Sequence, residues 1–390
     1  MISPVMANYA RADIAFEKGE GVYLYASDGT RYLDFGGGIA VTCLGHCHPH
    51  LVEALTRQAG QLWHCSNLYQ IPEQTRLAER LVAASFADSV VFINSGAEAV
   101  ETSVKIARKY QNDQGHPERF RVITCEGAFH GRTLAMIAAG GQEKHLAGFG
   151  PVVDGFDQVA FDNLNEMRAA VGPETAALLI EPVQGEGGIR ALSKDYLKGA
   201  RALADEFGVL LILDEVQTGI GRTGKLFAHE WAGIEPDILA SAKGLGGGFP
   251  IGACLAKEGP ASALTAGSHG STFGGNPLAM AVGNAVLDVV LETGFLDKAN
   301  AIAKRLWQRL EEIAVNHPTV FEGISGSGLM VGLKCVPTNM DVVAKLTEGG
   351  LLTVAAGENV VRLVPPLIIE DSHVDEAIAI IDKAAGELDA

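Results

Sequence analysis

The chain has 390 residues, 47% of them hydrophobic and 20% charged, enough to bury a large core divided between two unequal domains. Its formal net charge of −17 argues against nucleic acid or an anionic membrane surface as a partner. No apolar run approaches the roughly 18 residues of a membrane span. Met1 to Arg11 lacks the basic start and apolar core of a secretion signal, so a cytoplasmic location is expected.

Residues 1 to about 40 read as an arm with short strands, punctuated by the turn signals Gly19-Glu20-Gly21 and Asp28-Gly29-Thr30. Cys43, His46, Cys47, His48 and His50 follow in close succession. Zinc favours such ligands, but a structural site gathers two separated pairs and no second pair appears, so no metal is expected. Cys65, Cys125, Cys254 and Cys335 are scattered among apolar residues and read as buried thiols.

Ser89 to Asn94 reads as a strand running into a helix that starts at Ser95, where Ser95 and Glu98 have capping-box spacing. The helix continues through Val104, Lys105, Ala107 and Arg108. Its positive end and the free N–H groups of Gly96 and Ala97 therefore face outward together, where an anion fits. Most capping boxes only cap helices, so this signal is weak alone.

Farther on, Ala177 to Ile180 and Val209 to Leu213 read as buried strands joined by a helix from about Tyr196 to Phe207. That is a βαβ unit, and it implies parallel strands. The second strand ends in Asp214-Glu215-Val216-Gln217. In an open α/β sheet the carboxyl ends of the strands face the ligand crevice, which places Asp214 there; the bland alternative is an acidic pair that merely ends a strand. Gly219, Gly224 and Lys225 imitate a nucleotide-binding P-loop, but Leu226 stands where Ser or Thr must bind magnesium.

Ser241-Ala242-Lys243-Gly244, running into Gly246-Gly247-Gly248, puts one lysine at the end of an apolar strand. An ammonium is costly to bury, so its placement needs a reason. Covalent chemistry supplies one: an amine in a dry pocket has a lowered pKa and attacks an aldehyde to form a Schiff base, the usual anchor of pyridoxal phosphate. Asp214 beside the pyridine nitrogen would keep that nitrogen protonated, and Gln217 could bond the ring oxygen. From Pro277 onward, helices over Leu278 to Leu291 and Ala301 to Ala314 lead to a smaller α+β region closed by a helix near Val374 to Leu388. Gly326-Ser327-Gly328 lacks the third glycine of a dinucleotide motif and reads as a turn between strands.

With these segments in view, the chain resembles the class III pyridoxal-phosphate aminotransferases over nearly its whole length. Seven motifs in order carry the resemblance: Gly37-Gly38-Ile39-Ala40-Val41 with Gly45-His46-Cys47-His48-Pro49; Asn94-Ser95-Gly96-Ala97-Glu98-Ala99; Ala128-Phe129-His130-Gly131-Arg132-Thr133; Glu181-Pro182-Val183-Gln184-Gly185-Glu186-Gly187-Gly188; Asp214-Glu215-Val216-Gln217-Thr218-Gly219; Ala242-Lys243-Gly244; and Ser271-Thr272-Phe273-Gly274-Gly275-Asn276-Pro277. The resemblance implies the α/β fold type I of these transferases: a large cofactor domain with a mostly parallel sheet flanked by helices, and a smaller α+β domain. Residues 1–40 would form the arm and part of the small domain, 41–280 the large domain and 281–390 the C-terminal small domain.

It also implies roles. Lys243 would hold the cofactor and move the proton, Asp214 would pair with the ring nitrogen, Gln217 would bond the ring oxygen and Phe129 would stack on the ring. Ser95, Gly96 and Ala97 would hold the phosphate, joined by Thr272 of the partner subunit in a homodimer with shared sites. Arg132 and Ser271 would contact substrate, and Arg362 would be a second carboxylate arginine with Glu186 as its switch partner. The implied reaction moves a terminal amino group to 2-oxoglutarate. Acetylornithine is the foremost donor, which would belong to arginine biosynthesis; ornithine, succinylornithine, succinyl-diaminopimelate and 4-aminobutyrate are the near alternatives. An aminomutase of the same fold is disfavoured because Arg132 and Arg362 together suit an external dicarboxylate. A non-catalytic relative is disfavoured by the intact Lys243 and Asp214.

Overall fold

The computed structural model describes residues 4–389. Three short strands open it, β1 (Phe16–Glu20), β2 (Tyr23–Ala26) and β3 (Arg31–Asp34), paired antiparallel in sequence order. Past β3 the backbone makes an unusual turn in which Gly37, Gly38, Ile39 and Ala40 all have positive φ, between 52° and 66°. Side chains oppose that conformation. Asp34 holds the turn in place, accepting the N–H groups of Gly36 and Gly37 at 2.9 Å each through Oδ1 and bonding His46 Nε2 at 2.8 Å through Oδ2.

The central sheet has seven strands: β4 (Ser89–Ile93), β5 (Arg121–Cys125), β6 (Phe156–Val159), β7 (Thr175–Ile180), then, after a short hairpin of β8 (Val183–Gln184) and β9 (Arg190–Ala191), β10 (Leu210–Asp214), β11 (Ile238–Ser241) and β12 (Gly252–Ala256). Their spatial order is β4-β12-β11-β10-β7-β5-β6. The run from β11 to β6 is parallel, and β12 is antiparallel to both its neighbours. Every residue of β7 and β10 is buried, as a sheet covered on both faces requires. The two faces alternate along the chain. Leu178, Ile180, Leu211 and Leu213 pack against Leu197, Ala200 and Leu203 of the helix Lys194–Phe207, whereas Ala177, Leu179 and Ile212 pack against Val100, Val104 and Ala107 of the helix Gly96–Asp113. Ser193 caps the first of these helices, its Oγ accepting from the Tyr196 N–H at 3.1 Å, and Gly208 ends it in the left-handed region.

The helices Pro277–Val290 and Phe295–Asn316 lead from this sheet to an antiparallel one of β13 (Phe321–Ser327), β14 (Met330–Cys335), β16 (Val354–Ala356) and β17 (Val360–Leu363), in the order β13-β14-β17-β16. Between them β15 (Leu351–Leu352) turns aside to pair in parallel with β3, Leu351 opposite Leu33. The N-terminal arm is thus stitched to the C-terminal region, also through Val364 N–H to Phe35 O at 2.7 Å and Leu367 N–H to Cys43 O at 2.7 Å. The helix Asp371–Asp389 closes the chain against Phe295–Asn316. No single helix among the described residues is long and apolar enough to cross a membrane.

Candidate active site

A cavity of about 440 Å³ opens at the carboxyl ends of the parallel strands. Its walls include Ser95, Gly96, Ala97, Phe129, Arg132, Asp214, Gln217 and Lys243. These come from four separate segments of the chain, so the sheet topology brings together what the sequence holds far apart.

Asp214 is the last residue of β10 and is buried. Its Oδ1 accepts the Val216 N–H at 3.1 Å and its Oδ2 faces Nδ1 of His130 at 2.8 Å. The neighbouring acid turns the other way. Glu215 accepts the N–H groups of Ala228 and His229 and the Thr218 hydroxyl, and burial pushes its pKa up. The Asp-Glu pair therefore splits into one cavity carboxylate and one that holds the turn beneath it.

Lys243 follows β11 and lies on the cavity floor with φ of 44°, in the left-handed region. A non-glycine residue there is held by its surroundings. The Cys43 thiol bonds the carbonyl of Gly244 at 3.1 Å, and Gly247 continues the turn with φ of 54°. Burial, and after it the charge of Arg362, lowers the amine's pKa to about 8.

The helix Gly96–Asp113 begins at the cavity edge. Ser95 Oγ accepts the Glu98 N–H at 3.3 Å, but the Glu98 carboxylate returns to the N–H of Asn94 at 2.8 Å, one residue before the position that capping-box spacing predicts. The first N–H groups of a helix have no partner within it, and those of Gly96 and Ala97 border the cavity. Gly96 is required by contact: a Cβ there would lie 2.6 Å from Cγ1 of Val216, another wall residue.

Arg362, on β17, is completely buried. One terminal nitrogen, Nη1, donates to Glu186 Oε1 at 2.6 Å and to Gln217 Oε1 at 3.0 Å, while Nε and Nη2 have no partner among the described residues. Glu186 sits in the loop between β8 and β9. Arg132 is exposed, stands over the Phe129 ring at 5.4 Å and makes no ion pair among the described residues. Ser271 and Thr272 lie elsewhere. They line a second cavity of about 1020 Å³, with Ser271 Oγ accepting from Asn94 Nδ2 at 3.1 Å.

Two buried groups carry no role in the sequence reading. His130 follows Phe129 directly and has no exposed side-chain surface. Burial pulls its pKa down, but the hydrogen bond and charge of Asp214 and the charge of Glu181 outweigh that and raise it. Glu181 accepts the N–H groups of Phe129 at 2.8 Å and Gly185 at 3.3 Å, and burial pushes its pKa up to about 7. A titratable residue beside the motif's aromatic was the available signal. The clustered Cys and His residues disperse: Cys43 turns inward to Gly244, His46 bonds Asp34 and His50 bonds Asp288.

The donor set matches pyridoxal phosphate group by group. It offers a low-pKa primary amine for the aldehyde, a buried carboxylate for the pyridine nitrogen, an open helix N-terminus for the phosphate and an aromatic wall for the ring.

Known proteins agree with this chemistry. The family model described as aminotransferase class-III matches residues 5–385. An acetylornithine aminotransferase from Mesorhizobium japonicum is 62% identical over 96% of this chain and 94% of its own length. An ornithine aminotransferase structure from Toxoplasma gondii superposes with a TM-score of 0.95 at 33% identity, covering 99% of this chain and 93% of that one. The N-acetylornithine aminotransferase of Stenotrophomonas maltophilia superposes with a TM-score of 0.85 at 36% identity, covering 97% of each chain. The chain belongs to the class III aminotransferases and is a pyridoxal-phosphate-dependent enzyme.

Proposed function

We propose that the enzyme transfers the terminal amino group of N2-acetyl-L-ornithine to 2-oxoglutarate, giving N-acetyl-L-glutamate 5-semialdehyde and L-glutamate, a step of arginine biosynthesis. The carrying observation is the Arg362–Glu186 pair at 2.6 Å, with two guanidinium nitrogens of Arg362 left over. The relatives bearing the acetylornithine name support the choice of donor. Residues 41–280 hold the cofactor in this reading, and residues 281–390 together with 1–40 bring Arg362 to it.

Bound pyridoxal phosphate supplies an aldehyde that carries the amino group and a ring that accepts the electrons of the reacting carbon. The protein does the rest. Lys243 Nζ would take the proton from the amine-bearing carbon and deliver it to C4′ of the cofactor, a task suited to a group whose pKa is lowered to about 8. Asp214 holds a proton on the ring nitrogen, and Gly96 and Ala97 bind the phosphate with Ser95. Phe129 covers the ring. Gln217, whose Oε1 is taken by Arg362, has its amide nitrogen left to donate to the ring oxygen.

The two half-reactions present different groups to one pocket. Acetylornithine reacts at its far end, so its α-carboxylate is remote from the ring and meets Arg132. Glutamate reacts at its α-carbon, so its α-carboxylate needs Arg362 and its side-chain carboxylate takes Arg132, each guanidinium gripping a planar anion. During the first half-reaction Glu186 neutralises an Arg362 that would otherwise be an unpaired buried charge. Arg362→Ala is therefore expected to cripple the glutamate half-reaction, by roughly 2 to 5 kcal/mol for a buried charge-assisted contact, and to spare the acetylornithine half-reaction. Glu186→Gln should do the reverse. Single-turnover absorbance with each substrate separately reads this, and equal losses in both half-reactions for Arg362→Ala would make the pair structural.

The enzyme acts as a homodimer in this reading, with Thr272 of the partner subunit completing each phosphate site. Leu68, Tyr69 and Phe273, between 61% and 87% exposed, lie beside or within the walls of the large second cavity, an apolar surface suited to a second copy. Mixing inactive Lys243→Ala chains with inactive Thr272→Asp chains should restore activity, because one site of each mixed dimer is whole. An active monomer in sedimentation at assay concentration would rule this out. The six free cysteines suit a reducing, cytoplasmic setting.

A further inference from the structure

We infer that His145 is a specificity residue for the amino donor, its imidazole N–H meeting the acetyl carbonyl oxygen of a donor whose α-carboxylate is held by Arg132. The inference rests on the proposed reaction and deepens it.

The α-carboxylate and the acetamido group of acetylornithine leave the same carbon, so a guanidinium that grips the first also fixes where the second lies. Phe129 has two polar groups against its ring: the Arg132 guanidinium at 5.4 Å and the His145 imidazole at 5.8 Å, the latter edge-on at 80°. His145 belongs to the short helix Glu143–Leu146, which is fixed to the segment that carries Phe129. Gln142 Nε2 donates to the Ala128 carbonyl at 2.7 Å, and the Gln142 carbonyl accepts the His145 N–H at 2.9 Å. The imidazole thus has a set place without a side-chain bond of its own. It is partly buried, and neither ring nitrogen has a hydrogen-bond partner among the described residues.

Burial, then the charges of Arg132 and Lys144, lower the pKa of His145, and the charge of Glu186 opposes them. The ring is therefore neutral near pH 7, with one N–H to give. An amide carbonyl accepts that hydrogen. Ornithine in the same pose presents an ammonium, which has no lone pair for it and stands against the like charge of Arg132. Glutamate holds Arg132 through the terminal carboxylate of its side chain, and nothing on that carbon reaches toward His145. The contact is thus made by one substrate and not by the other two.

His145→Phe keeps a ring against Phe129 and removes the donor; His145→Gln keeps an N–H on a side chain of similar reach. With 2-oxoglutarate as acceptor, His145→Phe should lower kcat/KM for acetylornithine by about five- to tenfold, the scale of one neutral hydrogen bond, and mainly through KM. Its kcat/KM for ornithine and its single-turnover rate with glutamate should stay within about twofold of wild type, so the preference for the acetylated donor narrows. His145→Gln should recover most of the loss. An unchanged preference in His145→Phe, an equal loss in the glutamate half-reaction, or a Gln variant as impaired as the Phe variant would each overturn the inference. A wild-type enzyme that does not turn over acetylornithine would remove the donor reading and this one together. Wild-type turnover of acetylornithine beside an unchanged kcat/KM in His145→Phe would remove this one alone.

Discussion

Lys243→Ala is expected to abolish turnover, by about 10³-fold or more, in a protein that still folds. In the proposed mechanism the side chain is both covalent anchor and proton carrier, and among the described residues no other lysine lines the cavity. Lys225 stands over Trp231 at 5.3 Å and Lys257 pairs with Glu235 at 3.3 Å, both outside the cavity walls. Borohydride reduction and peptide mapping should find the pyridoxyl group on Lys243. A label on Lys225 or Lys257, or a Lys243→Ala enzyme turning over near normally, would end the assignment. The pH dependence has a definite sign. Only the neutral amine attacks an aldehyde, and burial has brought this one down to about 8. Reloading of the apo-protein with cofactor should therefore accelerate as pH rises to about 8 and level off above it, whereas an ordinary lysine would keep gaining toward roughly 10.4.

Asp214→Asn is expected to lower turnover by a factor on the order of 100 or more while leaving the melting temperature nearly unchanged, the scale on which preorganised electrostatic groups act. Asparagine keeps the shape at the end of β10 and can still accept from the Val216 N–H. In the proposed mechanism it lacks the charge that would hold a proton on the ring nitrogen, so the ring would accept electrons less well in both half-reactions. Stopped-flow rates for each half-reaction measure this. Unchanged rates in both would refute the electron-sink role.

Lys243 and Asp214 were legible in the sequence because each ends a continuous apolar run, and the end of a buried parallel strand has one destination. The fold class followed from the same runs. The helix predicted from Tyr196 to Phe207 spans Lys194–Phe207, close because Ser193 and Gly208 mark its ends with ordinary capping chemistry. The helix predicted over Ala301 to Ala314 spans Phe295–Asn316, longer at its start because Gly294 opens it in the left-handed region with no side-chain cap to read. What Glu215 does was not legible: its role depends on the turn that brings the N–H groups of Ala228 and His229 to it. The bond between His130 and Asp214 and the grip of Arg362 on Gln217 were equally unreadable. Each joins residues whose proximity exists only once the strands are ordered.

The pairing of β15 with β3 has a consequence for synthesis on the ribosome. Strand β3 emerges early, but its parallel neighbour at Leu351 and Leu352 is made some three hundred residues later. At about 5–20 residues per second the nascent arm waits on the order of tens of seconds, with the edge of β3 open. The seven strands of the central sheet are all complete by Ala256, so that sheet can assemble while the arm is still unpartnered. The left-handed turn at Gly37 to Ala40 leads into Val41 on the cavity wall, and its neighbour Phe35 waits for Val364. The cofactor pocket is thus finished last at the wall that Val41 supplies, and the growing chain is most open to aggregation or chaperone capture at a segment made long before its partners.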